Sequence, residues 1–93
     1  MKITTANSYT VYDVMFDLPY GSSLELLCDK IEESGLDLIR KNWDFCSPDA
    51  EKDYRIEVSL TVGLVEKDGV DTCNKVMTTL EEVLLIVDAD LNA

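Results

Sequence analysis

A long run of alternating apolar and polar side chains, from Tyr54 to Val65, constrains the fold more than any other feature of this sequence. The apolar members of the run are Ile56, Val58, Leu60, Val62 and Leu64. Because successive side chains of a strand point to opposite faces, the pattern predicts a strand with one buried and one polar face. An antiparallel sheet that is covered on one side by helices is the simplest architecture for such a strand.

A second alternating segment, Tyr9–Leu18, predicts another strand near the start of the chain. Its apolar face consists of Tyr12, Val14, Phe16 and Leu18. The other face carries Val11, Asp13, Met15 and Asp17. The triplet Pro19-Tyr20-Gly21 is expected to end the strand, because proline lacks a backbone donor and glycine permits a turn.

A helix is predicted directly after this turn, capped by Ser22 or Ser23. Ser22 and Glu25 also have the spacing of a capping box. The residues that recur at helical spacing and predict its buried stripe are Leu24, Leu27, Cys28 and Ile31. We expect Gly35 to end the helix in a left-handed cap, which makes the segment 36–46 a strand. The alternative is that the helix continues through Leu38 and Ile39, at a cost of about 1 kcal/mol for the internal glycine.

A second helix is predicted at the end of the chain, with Asp68 or Asp71 as its N-cap. Its predicted buried stripe is Val70, Cys73, Val76, Met77, Leu80, Val83, Leu84 and Val87. The helical period runs through Leu84–Val87, so no closing strand is predicted there. The segment Ser47–Asp53 is expected to be a solvated loop, and Lys2–Thr5 allows a further short strand.

Together these elements predict one α+β domain over residues 1–93, with the order β-α-(β)-β-α. Its small antiparallel sheet has two helices packed on one face. The pattern is similar to part of a ferredoxin-like, or split βαβ, unit. This resemblance concerns the order of elements and implies no function.

Charge is the most unusual feature of the composition, since 19 acidic residues face 8 basic residues and give a net charge of −11. A small domain is usually kept soluble by a net charge of about 2–8 in magnitude, so the excess is self-repulsive. Direct binding of nucleic acid or of an anionic membrane requires a basic patch and is not expected. The natural partner is a basic protein surface.

The sequence offers no recognisable catalytic site, so we expect neither enzymatic activity nor a cofactor. It contains no histidine, no phosphate-binding glycine loop and no GxSxG motif. Asp49, Glu51 and Asp53, like Asp88 and Asp90, lack the glycine and glutamate of an EF-hand and are expected to be solvated charges rather than metal ligands.

The three cysteines, Cys28, Cys46 and Cys73, are widely separated and are expected to be reduced thiols. Cys28 and Cys73 fall on the predicted apolar stripes and should resist thiol reagents, whereas Cys46 near the loop should react faster. No apolar segment is long enough to span a bilayer, and the start of the chain lacks a secretory pattern. We therefore expect a cytoplasmic protein, in the host cytoplasm if a phage encodes it.

A row of acids on the first helix is the strongest candidate for a binding site. Glu25, Asp29, Glu32 and Glu33 recur at i, i+4, i+7 and i+8, where like charges cost about 0.2–0.5 kcal/mol per pair. Asp13 and Asp17 on the first strand form a second candidate patch. Charges kept in locally unfavourable positions indicate an external basic surface. The alternative is that the acids only keep the surface solvated.

In size, charge and lack of catalytic residues, the chain resembles acidic phage and mobile-element inhibitors of host nucleases, including anti-CRISPR proteins. The resemblance implies a stoichiometric inhibitor of a basic nucleic-acid-processing enzyme, acting as a nucleic-acid mimic. It extends to composition only, so it assigns no functional residues.

Two other functions are consistent with the sequence. An immunity protein or antitoxin would neutralise a toxin nuclease through aromatic anchors, for which the candidates are Tyr20, Trp43, Phe45 and Tyr54. For Trp43 and Phe45, covering the edge of the core is the alternative. A structural or adaptor subunit, including a homodimer, would use exposed apolar strand faces such as that carrying Val11 and Met15.

Overall fold

The computed structural model describes residues 7–46, 54–67 and 71–93. Its elements in chain order are β1 (Asn7–Pro19), α1 (Leu24–Glu33), β2 (Asp37–Cys46), β3 (Arg55–Lys67) and α2 (Thr72–Leu91). The predicted α+β class and element order are confirmed, and the segment after Gly35 is a strand. The predicted loop Ser47–Asp53 and the short strand at Lys2–Thr5 lie outside the described residues.

The three strands form one sheet with the order β1-β3-β2. The central strand, β3, is antiparallel to both of its neighbours, so β1 and β2 are parallel to each other. This is the split βαβ arrangement that the element order suggested. The β1–β3 ladder runs without interruption from the Asn7–Lys67 pair to the Pro19–Arg55 pair.

The β2–β3 ladder contains a bulge at Ile39, between Leu38 and Arg40. Leu38 lies opposite the buried Val62. The extra residue then shifts the inward–outward alternation of the following side chains by one position. As a result Lys41, Trp43 and Phe45 share the helix-facing side of β2 with Leu38, because they pair with Leu60, Val58 and Ile56. A strand without the bulge would have turned these three side chains to the opposite face.

The core lies between the two helices and the apolar side of the sheet. The buried residues that form it are Leu18, Leu27, Ile31, Leu36, Ile56, Val58, Leu60, Val62, Val76, Leu80, Val83 and Val87. Leu27, Ile31, Val62 and Val87 have no exposed area at all. The predicted apolar faces of β1 and β3 and the predicted stripe of α1 are therefore confirmed.

The ends of the helices follow local rules, with one correction. Ser23 caps α1, and its hydroxyl accepts a hydrogen bond of 3.1 Å from the amide of Leu26. The predicted capping box of Ser22 is wrong, because the Ser22 hydroxyl instead donates to the carbonyl of Pro19 at 2.7 Å. Asp71 caps α2 as predicted, and Gly35 after α1 has the positive φ of +94° that favours glycine.

The buried side of α2 is narrower than predicted. Val76, Leu80, Val83 and Val87 are buried, but Cys73 is exposed and Met77 is half-exposed, so these two assignments were wrong. Thr72 is buried in their place, and its hydroxyl is 2.5 Å from that of Tyr12 on β1. The predicted position Val70 lies outside the described residues, and the helix continues through Leu84–Val87 as expected.

On the open side of the sheet, the ring of Tyr9 covers Gly63. A side chain added at Gly63 would collide with the phenol ring. The Tyr9 hydroxyl reaches past this glycine and donates to Asp37 at 3.1 Å. Because Tyr9 belongs to β1, Gly63 to β3 and Asp37 to β2, one ring spans all three strands.

We expect Gly63→Ala to lower the free energy of unfolding by about 1–3 kcal/mol, because the methyl group displaces the Tyr9 ring. Urea denaturation measures the change. In a Tyr9→Ala background the same substitution should have little effect, or should stabilise the strand by removing a glycine. An equal loss in both backgrounds would contradict the proposed contact.

Candidate functional site

A groove of about 290 Å³ lies between α1 and β2. Its lining consists of Leu24, Glu25, Cys28, Asp29, Glu32, Lys41 and Trp43. Three of the four acids predicted on the first helix therefore share one concave surface. We call this surface the acidic groove.

Local sequence rules build both walls of the acidic groove. Glu25, Asp29 and Glu32 lie at helical spacing beside the buried stripe of α1, so packing of the stripe places the carboxylates along the edge of the helix. The opposite wall, Lys41 and Trp43, faces the helices because of the bulge at Ile39. The alternation of the sequence does not predict that Lys41 lies in the groove, because the bulge reverses which residues of β2 face the helices after Ile39.

Glu33, the fourth predicted acid, does not line the acidic groove. Its carboxylate instead lies 3.3 Å from the ammonium group of Lys30, one helical turn earlier. Glu33 is exposed and Lys30 is partly exposed, so this ion pair adds little to stability. Glu33 is consequently a useful reference for an acid on the same helix but outside the groove.

Asp13 and Asp17 lie on the open side of the sheet, the face opposite to that on which the helices pack. Asp13 accepts a hydrogen bond of 2.7 Å from the hydroxyl of Thr61. The carboxylate of Asp17 lies 3.3 Å from Nε of Arg55 and forms an ion pair with it. The geometry of this contact is not that of a hydrogen bond. The structure thus separates this patch from the acids of α1.

Arg55 and Cys46 both contact Glu57 on the open side of the sheet. The thiol of Cys46 donates to one oxygen of Glu57 at 3.2 Å, and Arg55 donates to the other at 3.4 Å. The hydrogen bond from the Cys46 thiol is the main cause, and that from Arg55 the second cause, of a pKa of Glu57 below its ordinary value. The same hydrogen bond is the main cause of a raised pKa for the Cys46 thiol, which disfavours the nucleophilic thiolate.

Three aromatic rings from separate parts of the chain meet at one end of the sheet. The ring centroid of Tyr20 is 6.0 Å from that of Phe45 and 5.9 Å from that of Tyr54, with tilted planes. Together with Cys46 they line a cavity of about 260 Å³. The three side chains are 61%, 64% and 57% exposed, and we call them the aromatic cluster.

Trp43, the fourth aromatic candidate, behaves differently from Phe45. Trp43 is half-buried and packs against the core, as expected for a residue that covers its edge. Phe45 is mostly exposed and does not fill that role. Since the two residues lie two positions apart on the same face of β2, the acidic groove and the aromatic cluster adjoin.

Within the described ranges, no group of three or more acidic or cysteine side chains is arranged to hold a metal ion. In the same part of the chain, neither helix is both long and apolar enough to cross a bilayer. Comparison with models of known protein families, with curated proteins and with solved structures finds no significant match.

The structure changes the expected order of thiol reactivity. Cys73 should react first because it is exposed, and Cys28 last because it is buried and loss of solvent raises its pKa. Cys46 should be intermediate, and its labelling should require a higher pH than that of an ordinary cysteine. Iodoacetamide labelling followed by peptide mass spectrometry measures all three rates.

Glu57→Gln provides the specific test of the Cys46 contact. Loss of the carboxylate should lower the pKa of Cys46 and so speed its labelling near neutral pH. Asp13→Asn removes a charge from the same side of the sheet without touching Cys46, so it should leave the rate unchanged. Equal acceleration by both variants would indicate a general effect of charge instead of the hydrogen bond.

Proposed function

We propose that this protein is a stoichiometric inhibitor of a basic nucleic-acid-processing enzyme and that it occupies the enzyme's nucleic-acid-binding surface. The acidic groove is the observation that supports the proposal. In the described part of the chain, no cation lies within ion-pair distance of Glu25, Asp29 or Glu32. Asp17 and Glu33, by contrast, have cationic partners within the domain.

The density of charge along α1 is suited to a surface that normally binds phosphates. At a rise of about 1.5 Å per residue, Glu25, Asp29 and Glu32 are spread over about 10 Å of the helix axis. One strand of B-DNA carries a phosphate about every 3.4 Å along its axis. The row on α1 is somewhat sparser than a nucleic-acid strand but of the same order, which supports mimicry.

The proposal does not assign catalysis to the chain itself. The raised pKa of Cys46 disfavours this thiol as a nucleophile, because a nucleophilic cysteine requires the opposite shift. Such an inhibitor acts where its target acts, in the cytoplasm, and in the host cytoplasm if a phage encodes it.

The second candidate function is an immunity protein or antitoxin that blocks a toxin nuclease mainly through an aromatic anchor. The aromatic cluster supports it, because interface hot spots are enriched in exposed rings that enter a partner's pocket. In that case the affinity would depend on the rings and only weakly on salt. The half-exposed Val11 and the mostly exposed Met15 support an adaptor or homodimer less strongly.

The main test uses the partner captured from the source cell and compares two triple variants. One neutralises the acidic groove with Glu25→Gln, Asp29→Asn and Glu32→Gln. The control neutralises as many charges elsewhere with Glu33→Gln, Glu81→Gln and Glu82→Gln. Both variants have the same net charge, so only the position of the lost charges differs.

The groove variant should associate with the partner at least about tenfold more slowly, because electrostatic steering raises association rates by about 10–10³. The association rate of the control variant should fall much less. Added nucleic acid should compete with the wild-type chain for the partner, and surface plasmon resonance measures both effects. An association rate of the groove variant equal to that of the wild type, or an equal fall in the rate of both variants, would contradict the acidic groove as the binding site.

The same variants test whether the acids destabilise the free chain. Because the net charge is −11, the Tm of the wild type should rise with sodium chloride. Between about 0.01 and 1 M salt, the Debye length falls from about 30 to about 3 Å. The groove variant should be at least as stable as the wild type at low salt and should gain less from added salt. An unchanged wild-type Tm would mean that repulsion is not significant.

A further inference from the structure

The aromatic cluster presents rings to solvent at the end of the acidic groove. Tyr20, Phe45 and Tyr54 are each more than half exposed, and the ring of Tyr20 lies beside both others with tilted planes. Together with Cys46, the three rings line a cleft of about 260 Å³. The faces of aromatic rings carry negative electrostatic potential, so a cation is attracted to such a cleft.

The charges around the aromatic cluster favour a cation as well. Trp43 connects Phe45 to the acidic groove, which holds three carboxylates and one ammonium group. At the other side of the cavity, Cys46 is hydrogen-bonded to the carboxylate of Glu57, but Arg55 pairs with this carboxylate and offsets its charge. The negative charge beside the ring cleft therefore comes from the acidic groove, and complementarity selects a positively charged partner.

Among cationic side chains, arginine matches this cleft best. The guanidinium group is flat, weakly hydrated and able to stack on aromatic faces, whereas the lysine ammonium group is compact and strongly hydrated. A basic surface that normally binds nucleic acid supplies such side chains.

We infer that the aromatic cluster binds an arginine side chain of the partner, while the acidic groove receives the basic residues that flank it. This inference rests on the proposed function and specifies what the partner must present. It also gives the aromatic cluster and the acidic groove separate roles within one continuous interface.

The test is an NMR titration of the full chain with short capped peptides. The probes are Gly-Arg-Gly and its analogues with lysine, citrulline or leucine in place of arginine. Citrulline keeps the shape of arginine without its charge, and leucine supplies a purely apolar side chain. We expect the arginine peptide to shift the ring resonances of Tyr20, Phe45 and Tyr54 saturably, the lysine peptide to bind more weakly, and the other two to have little effect.

Ring replacement separates a cation–π contact from an apolar contact. Phe45→Leu and Tyr54→Leu keep apolar side chains at exposed positions but remove the ring faces. Each should weaken binding of the arginine peptide by about two- to fivefold, as expected for exposed cation–π contacts. Tyr9→Leu is the matched control, because it removes a half-exposed ring from the opposite side of the sheet and should leave peptide binding unchanged.

Several results would overturn the inference. Equal binding of the leucine peptide, unchanged affinity in Phe45→Leu and Tyr54→Leu, or no saturable shift of the three rings would each exclude an arginine site there. Shifts confined to Trp43 and the carboxylates of α1 would exclude the ring site but leave the proposed inhibitor function intact. Conversely, if the rings bind arginine but the groove variant associates normally with the partner, the ring site stands and the role of the acidic groove in the proposed function is refuted.

Discussion

Burial of β3 is the interaction on which the rest of the structure depends. Ile56, Val58, Leu60 and Val62 are almost completely inaccessible, and burial of one such side chain contributes about 1.5–3 kcal/mol. Both outer strands pair only with β3 in the described sheet, and both helices cover its apolar face. The position of α1 over the sheet, and therefore the acidic groove between α1 and β2, follows from this burial.

Much of the fold could be predicted from the sequence because its determinants are local. Alternation located β1 and β3, a helical stripe located α1, and Gly35 marked where that helix ends. The errors concern features that depend on packing. The bulge at Ile39 is visible only in the register with β3, and the exposure of Cys73 depends on which side of α2 packs against the core.

The candidate site was predictable to the extent that it lies on one helix. Spacing placed Glu25, Asp29 and Glu32 on a common flank of α1, and the structure places them in one groove. Helical spacing also indicates the i, i+3 pair of Lys30 and Glu33, but it could not show that Asp17 on β1 meets Arg55 on β3. The aromatic cluster combines residues from three regions of the chain, so only the tertiary structure brings its rings together.

In the proposed complex, the two parts of the surface act on different steps of binding. The carboxylates of the acidic groove act at long range, so they chiefly raise the rate of encounter with a basic partner. The rings act only in contact, so they chiefly slow dissociation. Under the proposal, the groove acids, which have no ion-pair partner among the described residues, repel one another in the free chain, and a basic partner relieves this repulsion. In this proposal, charges that weaken the free chain strengthen the complex, which gives a physical reason for placing them in the groove.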